Sequence, residues 1–244
     1  MSELVSMWKS PKILVYFFFT TVLYSTLLYP VWQFSFFAEN ADFLRIAIGI
    51  PVAFSFLFGP AAAWGAAFGN LIFDAATGIS WITPFGFLGN FLIGYIPYKL
   101  WSKITTEKPD LRSLKKIGLF IGVCALACVL CGIVIGWGLL YLFSFPFVIT
   151  SFTIFASDFL WAVLLGSVIL VVSYGFFNKR KLLYSDLLNM LPDANWNRKR
   201  SSAIIISIVT GVLCFIIPVL VTVDAWFLLP FVMFSLISAV LAMK

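Results

Sequence analysis

The sequence predicts an all-α protein, a polytopic membrane helix bundle of about eight spans with both termini on the cytoplasmic side. Three observations predict this class. Of the 244 residues, 62% are hydrophobic and 11% are charged, whereas about 25% of the residues of a soluble domain are charged. Apolar runs of about 20 residues, the length that crosses a bilayer, recur along the chain. Basic residues collect between alternate runs, which is typical of cytoplasmic loops.

The individual spans follow from the apolar runs and the breaks between them. Gly59-Pro60 ends the second run, because proline removes a backbone donor and clashes with the preceding turn. The predicted spans are 13–37, 44–58, 61–74, 81–101, 117–143, 147–177, 203–221 and 225–243. The second and third spans are short and rich in glycine, alanine and proline, so a single broken or re-entrant element remains an alternative for them.

Three regions result from this map. Residues 1–178 form a six-helix membrane core, and residues 203–244 form a C-terminal two-helix hairpin. Residues 179–202 form a basic cytoplasmic linker. One face of the linker carries leucines, which predicts a short amphipathic helix on the inner leaflet; these are Leu182, Leu183, Leu187, Leu188 and Leu191.

The positive charges orient the chain. If the N-terminus lies inside, every one of the 16 lysines and arginines except Arg45 falls on the cytoplasmic side. The net charge of +6 is then a consequence of topology, and it does not indicate nucleic-acid binding. The pattern predicts a multi-pass protein of the cell membrane, of the prokaryotic plasma-membrane type.

The sequence lacks the residues that several kinds of chemistry require. The sequence has no histidine, the commonest metal ligand and general base. It also has no phosphate-loop or dinucleotide fingerprint, so we expect no cofactor and no ATPase activity in this chain. Cys124, Cys128 and Cys131 share a helix face. A soft-metal site is possible there, but packing of small apolar side chains is favoured, as it is for Cys214.

A set of polar residues falls in the predicted outer half of the membrane. Such groups are costly in lipid and are typical of functional sites. The candidate substrate-binding residues are Arg45, Asn70, Asp74, Trp81, Asn90, Asp158 and Trp161. Polar groups mixed with aromatic rings are typical of a pocket for a flat, polar small molecule. The alternative is that contacts such as Asp74 with Arg45, or Asp158 with Asn90, only hold helices together.

Small residues form a second pattern beside these polar ones. Gly65 and Gly69 lie four apart on the third predicted span, and Gly86, Gly89 and Gly94 lie on the fourth. Faces of this kind let helix backbones approach closely, so these two spans are expected to pack tightly.

The same two segments carry a resemblance to a known family. Residues 44–74, with Gly59-Pro60 and the run Trp64–Asp74, and residues 85–98 resemble the substrate-binding S-components of energy-coupling-factor (ECF) vitamin transporters. The nearest branch is that of the queuosine-precursor transporters. The resemblance is strongest over residues 44–101 and extends over residues 1–178.

The resemblance implies a six-helix core that binds a vitamin-like or nucleobase-like solute from outside, under the first and third outer loops. Such cores dock on a membrane coupling protein that is driven by two cytoplasmic ATPases. Carried over to this chain, Arg45, Asn70, Asp74 and Asn90 lie where family members line or gate the pocket. The two C-terminal spans exceed the six-helix core, and Thr21-x3-Ser25 stands where an Ala-x3-Ala coupling face is expected.

Solute binding and uptake without catalysis is therefore the leading hypothesis. Its partners would be a small-molecule solute, membrane lipid and the ECF-type module. Three alternatives remain. They are a membrane structural or assembly protein, a membrane-embedded lipid-modifying enzyme that uses Asp74 and Asp158, and a stand-alone carrier or channel.

Overall fold

The protein is an all-helical bundle. The computed structural model describes residues 2–37, 45–188, 196–220 and 224–243, and these residues form helices and no strand. The predicted all-α class is confirmed, and the predicted orientation of the termini stays a prediction. Within the described residues, five helices are long and apolar enough to cross a membrane: Pro11–Pro30, Leu114–Phe143, Phe147–Leu187, Arg198–Pro218 and Ala225–Met243. The count of eight spans stays a prediction.

The helices follow one another with short connections. In chain order they are α1 Ser2–Ser6, α2 Pro11–Phe37, α3 Gly49–Phe58, α4 Pro60–Thr77, α5 Thr83–Ile104, α6 Leu114–Phe143, α7 Phe147–Trp161, α8 Ser167–Lys179, α9 Tyr184–Leu187, α10 Arg198–Leu220 and α11 Ala225–Met243. A π-helical turn, Ala162–Gly166, joins α7 to α8. Helix α2 packs on α4, α4 on α5, α5 on α6 and α6 on α7.

Helix α3 lies inside the bundle. All ten of its residues are buried, and it contacts α4, α5, α8 and the π-helical turn. Ten helical residues span about 15 Å, half the hydrocarbon thickness of a bilayer. The second predicted span is therefore a short helix covered by protein, and it starts at Gly49 after the 3₁₀ turn Ile46–Ile48.

The break between α3 and α4 lies where the sequence predicts it. Gly59 has φ 54° and ψ −121°, a conformation that glycine adopts without strain. A Cβ atom at Gly59 would also lie 2.6 Å from the ring of Tyr184. Pro60 begins α4, where its missing N–H has no helical partner to lose.

The small-residue faces bring helix backbones together as expected. A Cβ atom on Gly65 of α4 would lie 2.6 Å from Cβ of Thr20 on α2, and one on Gly94 of α5 would lie 2.6 Å from Cα of Ala63. The tight packing predicted for α4 and α5 is confirmed.

One end of the bundle is closed by α1 and carries buried charge. Lys99 Nζ of α5 lies 2.6 Å from Glu3 Oε1 of α1, and the Tyr98 hydroxyl donates to the same oxygen at 3.3 Å. Beyond α5, Lys116 Nζ donates to Asp110 at 2.8 Å, and this hydrogen bond lowers the pKa of the Asp110 carboxyl. We refer to this end as the basic end, and it is the end that the charge pattern assigns to the cytoplasm.

The linker after α8 begins against the bundle. The Tyr16 hydroxyl donates to the carbonyl of Leu182 at 3.0 Å, Leu183 is buried, and the Tyr184 ring packs edge-on against Tyr98 with centroids 5.1 Å apart. Helix α9 covers four residues of the predicted amphipathic segment. Residues 189–195 lie outside the described part of the chain, so the amphipathic helix stays a prediction.

The C-terminal hairpin packs on α6. Helices α10 and α11 are joined by Ser207 Oγ, which donates to the carbonyl of Ser235 at 2.9 Å, and by the reciprocal bond at 2.8 Å. Trp137 Nε1 of α6 donates to the carbonyl of Ala225 at 2.7 Å. The four cysteines are buried thiols, and the described residues hold no group of His, Cys, Asp or Glu side chains that is arranged to bind a metal ion.

Candidate functional site

A cavity of about 600 Å³ lies at the end of the bundle opposite the basic end, between α4, α5, α6 and α7. Helix α5 connects the two ends. It begins beside the cavity, where Gly86 lines the wall, and thirteen residues later Lys99 pairs with Glu3 at the basic end. Thirteen helical residues rise by about 20 Å, which is the distance along α5 between the two sites. The lining residues are Arg45, Asn70, Asp74, Ile82, Gly86, Asn90, Ile135, Leu139, Phe145, Ile149, Thr150, Thr153 and Ile154.

One wall of the cavity carries a continuous chain of hydrogen bonds. The Tyr24 hydroxyl of α2 donates to Asn90 Oδ1 at 2.6 Å. Asn90 Nδ2 donates to Asn70 Oδ1 at 2.9 Å, and Asn70 Nδ2 donates to Asp74 Oδ2 at 3.0 Å. Tyr24 and Asn90 are fully buried, whereas Asn70 and Asp74 are half-buried at the cavity. We call these four residues the polar chain.

An ion pair lies beside the buried end of the polar chain, close to Tyr24. Arg45, just before α3, places Nη1 3.0 Å from Asp158 Oδ1 and donates to Oδ2 at 3.1 Å. The Arg45 backbone N–H also donates to Ser157 Oγ at 3.4 Å. The Arg45 side chain is 20% exposed and that of Asp158 is 0% exposed, so the cation reaches the cavity and its carboxylate lies behind it.

The structure brings together most of the predicted site residues. Arg45, Asn70, Asp74 and Asn90 line the cavity. Asp158 does not line it, but it contacts Arg45, which does. The sequence suggests contacts of Asp74 with Arg45 and of Asp158 with Asn90. The structure pairs these residues differently, because Arg45 contacts Asp158 and Asn90 contacts Asn70.

The two predicted tryptophans lie elsewhere. Trp81 precedes α5 with 81% of its surface exposed, and Trp161, the last residue of α7, is absent from the lining. The sequence predicts a pocket with several aromatic rings among its polar groups. In the described residues, Phe145 alone supplies an aromatic ring to the cavity lining. Phe87 and Phe91 occupy another face of α5, where Phe87 packs on Phe68 and Phe91 on Trp64 of α4.

Several site residues have no strong sequence signal. Tyr24 is one of many aromatic residues in an apolar helix, and its partner Asn90 is 66 positions away. Thr150 and Thr153 lie three apart on α7 and so share a face, which is the weak signal that could have found them. The first outer loop, residues 38–44, was expected to roof the pocket and lies outside the described residues. Phe145 lies between α6 and α7, in the segment that the sequence predicts as the third outer loop, and it lines the cavity.

A comparison with protein families identifies the group to which the chain is related. A family model described as QueT transporter matches residues 14–174. The chain belongs to the QueT transporter family. This is a family of ECF S-components, the queuosine-precursor transporters, so the family predicted from residues 44–101 is confirmed. No curated protein and no solved structure matches the chain.

The QueT match spans the region that forms the cavity. It contains every lining residue, the polar chain and the Arg45–Asp158 pair, while α10 and α11 lie beyond it. QueT proteins are membrane transport components and not enzymes, which excludes a lipid-modifying role for Asp74 and Asp158.

Proposed function

We propose that the protein is the substrate-binding subunit of an ECF transporter, and that its cavity binds a nucleobase-like solute, such as a queuosine precursor, from outside the cell. The observation that supports this most directly is the cavity itself, in which Asp74, Asn70 and Arg45 converge within the family-matched region. Its volume of about 600 Å³ falls in the range of small-molecule pockets.

The chemistry of the lining suits the edge of such a base. Asp74 supplies a carboxylate acceptor, while Asn70 and Arg45 supply N–H donors. A purine-like edge carries N–H groups beside carbonyl or ring-nitrogen acceptors. Asp74 would accept from the N–H groups of the ligand, and the two donors would bind its acceptors. The apolar lining and the Phe145 ring would cover its faces.

Energy must come from outside this chain. The sequence contains no phosphate-binding loop, so uptake against a gradient must draw either on a partner that hydrolyses ATP or on an ion gradient. We propose an ECF-type membrane coupling protein with two cytoplasmic ATPases as that partner, in a prokaryotic plasma membrane. The six-helix core would bind the solute, and the α10–α11 hairpin is an addition to it.

Ligand binding by the purified full chain tests the proposal. Mass spectrometry of co-purifying small molecules comes first, followed by titration with guanine as a defined probe. Asp74→Asn should weaken binding by roughly ten-fold or more, because it replaces an anionic acceptor with a neutral amide. Asp224→Asn is the matched control. Asp224 caps α11 by accepting from Phe227 N–H at 2.9 Å, and asparagine caps equally well.

Two results would overturn the proposed function. One is an Asp74→Asn variant with wild-type affinity, and the other is a wild-type protein that binds no nucleobase and co-purifies with none. A third experiment addresses the partner module. Uptake by vesicles that contain this chain alone, driven by an ion gradient, would identify a stand-alone carrier instead.

A further inference from the structure

The direction of the hydrogen bonds in the polar chain is set at its buried end. Asn90 Nδ2 donates to the carbonyl of Gly86 at 2.8 Å as well as to Asn70. A backbone carbonyl only accepts, so the amide nitrogen of Asn90 must face it. Asn90 Oδ1 then faces Tyr24, which donates through its hydroxyl. All three hydrogen-bonding groups of the Asn90 amide are thereby occupied.

The orientation of the Asn90 amide in turn fixes the orientation of the Asn70 amide at the cavity. Because Asn90 offers N–H to Asn70, the Asn70 amide must present Oδ1 to Asn90, and its NH₂ group is left to face outward. One of these N–H bonds points to Asp74 Oδ2. The cavity wall therefore carries a donor next to a carboxylate acceptor. An inverted Asn70 amide would instead put two acceptors side by side.

We propose that Asn90, held in one orientation by the Gly86 carbonyl and the Tyr24 hydroxyl, fixes the hydrogen-bonding polarity of the cavity, so that Asn70 presents an N–H donor beside the Asp74 carboxylate. Asn90 and Tyr24 are thus positioning residues. The inference rests on the proposed function and adds a determinant of specificity to it. The wall then selects a ligand edge on which an acceptor lies beside N–H donors, as in guanine. It disfavours 2,6-diaminopurine, which has the same size and carries an amino donor in place of the carbonyl.

Tyr24→Phe is the informative variant, because it removes only the hydroxyl, which holds Asn90 and also lies beside Arg45. The ring, which packs against Gly69, is retained. Asn90 Oδ1 then lies buried without a donor, and the amide is held by fewer bonds. Guanine affinity should fall roughly five-fold or more, and the preference for guanine over 2,6-diaminopurine should narrow. Tyr16→Phe is the matched control, since the Tyr16 hydroxyl donates to Leu182 far from the cavity, and it should leave both affinities unchanged.

The experiment is equilibrium binding of guanine and 2,6-diaminopurine to purified full-length wild type, Tyr24→Phe, Tyr16→Phe and Asp74→Asn, with thermal unfolding measured alongside. An equal loss for both ligands in Tyr24→Phe would show a merely structural role and overturn the proposal. Wild-type affinities in Tyr24→Phe, together with lost binding in Asp74→Asn, would overturn it while leaving the proposed function intact. If Tyr24→Phe does not fold, Asn90→Ala breaks the same chain, and an unchanged ligand preference in that variant would overturn the proposal. No binding of guanine by the wild type would instead count against the proposed function.

Discussion

At the scale of single residues, Gly86 serves the candidate site in two ways. Its carbonyl accepts from Asn90, and its missing side chain makes room for Asn70, because a Cβ atom would lie 2.9 Å from Asn70 Nδ2. A single methyl group at this position would therefore push on the polar chain without removing any of its groups.

Gly86→Ala is accordingly expected to displace the Asn70 amide and to lower ligand affinity by roughly five-fold, the effect of one weakened hydrogen bond. Gly122→Ala is the control. A Cβ atom there has no neighbour within 4 Å, so that variant should keep its affinity and gain about 0.5–1 kcal/mol of helix stability. Titration and thermal unfolding of both proteins would decide the matter. Wild-type affinity in Gly86→Ala would mean that Asn70 does not contact the ligand.

Residue spacing explains which parts of the site the sequence could predict. Asn70 and Asp74 are four apart on one helix, and the hydrogen bond between them follows from that spacing. The Arg45–Asp158 pair joins positions 113 apart, and no helical periodicity extends that far. Tyr24 has no sequence signal for the same reason. Trp81 lies beside polar residues in the sequence, but no helix turns it toward the cavity.

At the scale of elements, the short helix α1 is held to α5 by buried charge. Glu3 and Lys99 are 6% and 7% exposed, and their charged atoms are 2.6 Å apart. Trp64 Nε1 of α4 also donates to the carbonyl of Leu4 at 3.3 Å. A buried pair is costly to break from one side, because the remaining charge has no partner.

Lys99→Met should therefore destabilise the fold by about 3 kcal/mol, and Glu3→Gln combined with Lys99→Met should recover most of that loss. Lys115→Met provides the comparison, since Lys115 and Glu107 form a pair with side chains 79% and 43% exposed, and loss of such a pair costs at most about 1 kcal/mol. The measurement is thermal or denaturant unfolding in detergent. A Lys99→Met variant as stable as Lys115→Met would contradict the assignment of α1 to the closed end.

The long helices were predictable and the short ones were not. The predicted spans 117–143 and 225–243 correspond to α6 and α11, which run from Leu114 to Phe143 and from Ala225 to Met243, because turn residues bound a long apolar run at each. Helix α3 is buried on every side, so its sequence shows no polar face from which length or orientation could be inferred. The π-helical turn after α7 has no compositional signal at all.

At the scale of the whole molecule, charge and cavity lie at opposite ends. The Glu3–Lys99 and Asp110–Lys116 pairs mark the basic end, and the ends of α4 and α7 that surround Asp74 and Thr150 mark the other. A protein that takes up a solute from outside needs its cavity on the external side. The prevalence of basic residues on the cytoplasmic side gives the same orientation from an independent argument.

The hairpin makes this orientation testable at the C-terminus. Helix α10 begins with Arg198, Lys199 and Arg200, and Ser207 faces Ser235 across the antiparallel pair, so α11 returns toward the basic end. A reporter fused after Lys244 should therefore read cytoplasmic. A reporter inserted between Gly78 and Trp81 should read external, and this loop should tolerate it because Ile79 is 69% exposed.

An insertion after Lys108 serves as the internal reference, because it lies in the loop of the Asp110–Lys116 pair and should read cytoplasmic. An external signal after Lys244 together with a cytoplasmic signal at Lys108 would show that the hairpin does not return across the membrane. An external signal at both positions would show that the whole bundle lies in the membrane in the opposite orientation. The cavity would then open to the cytoplasm, where it could release a solute but could not capture one from outside.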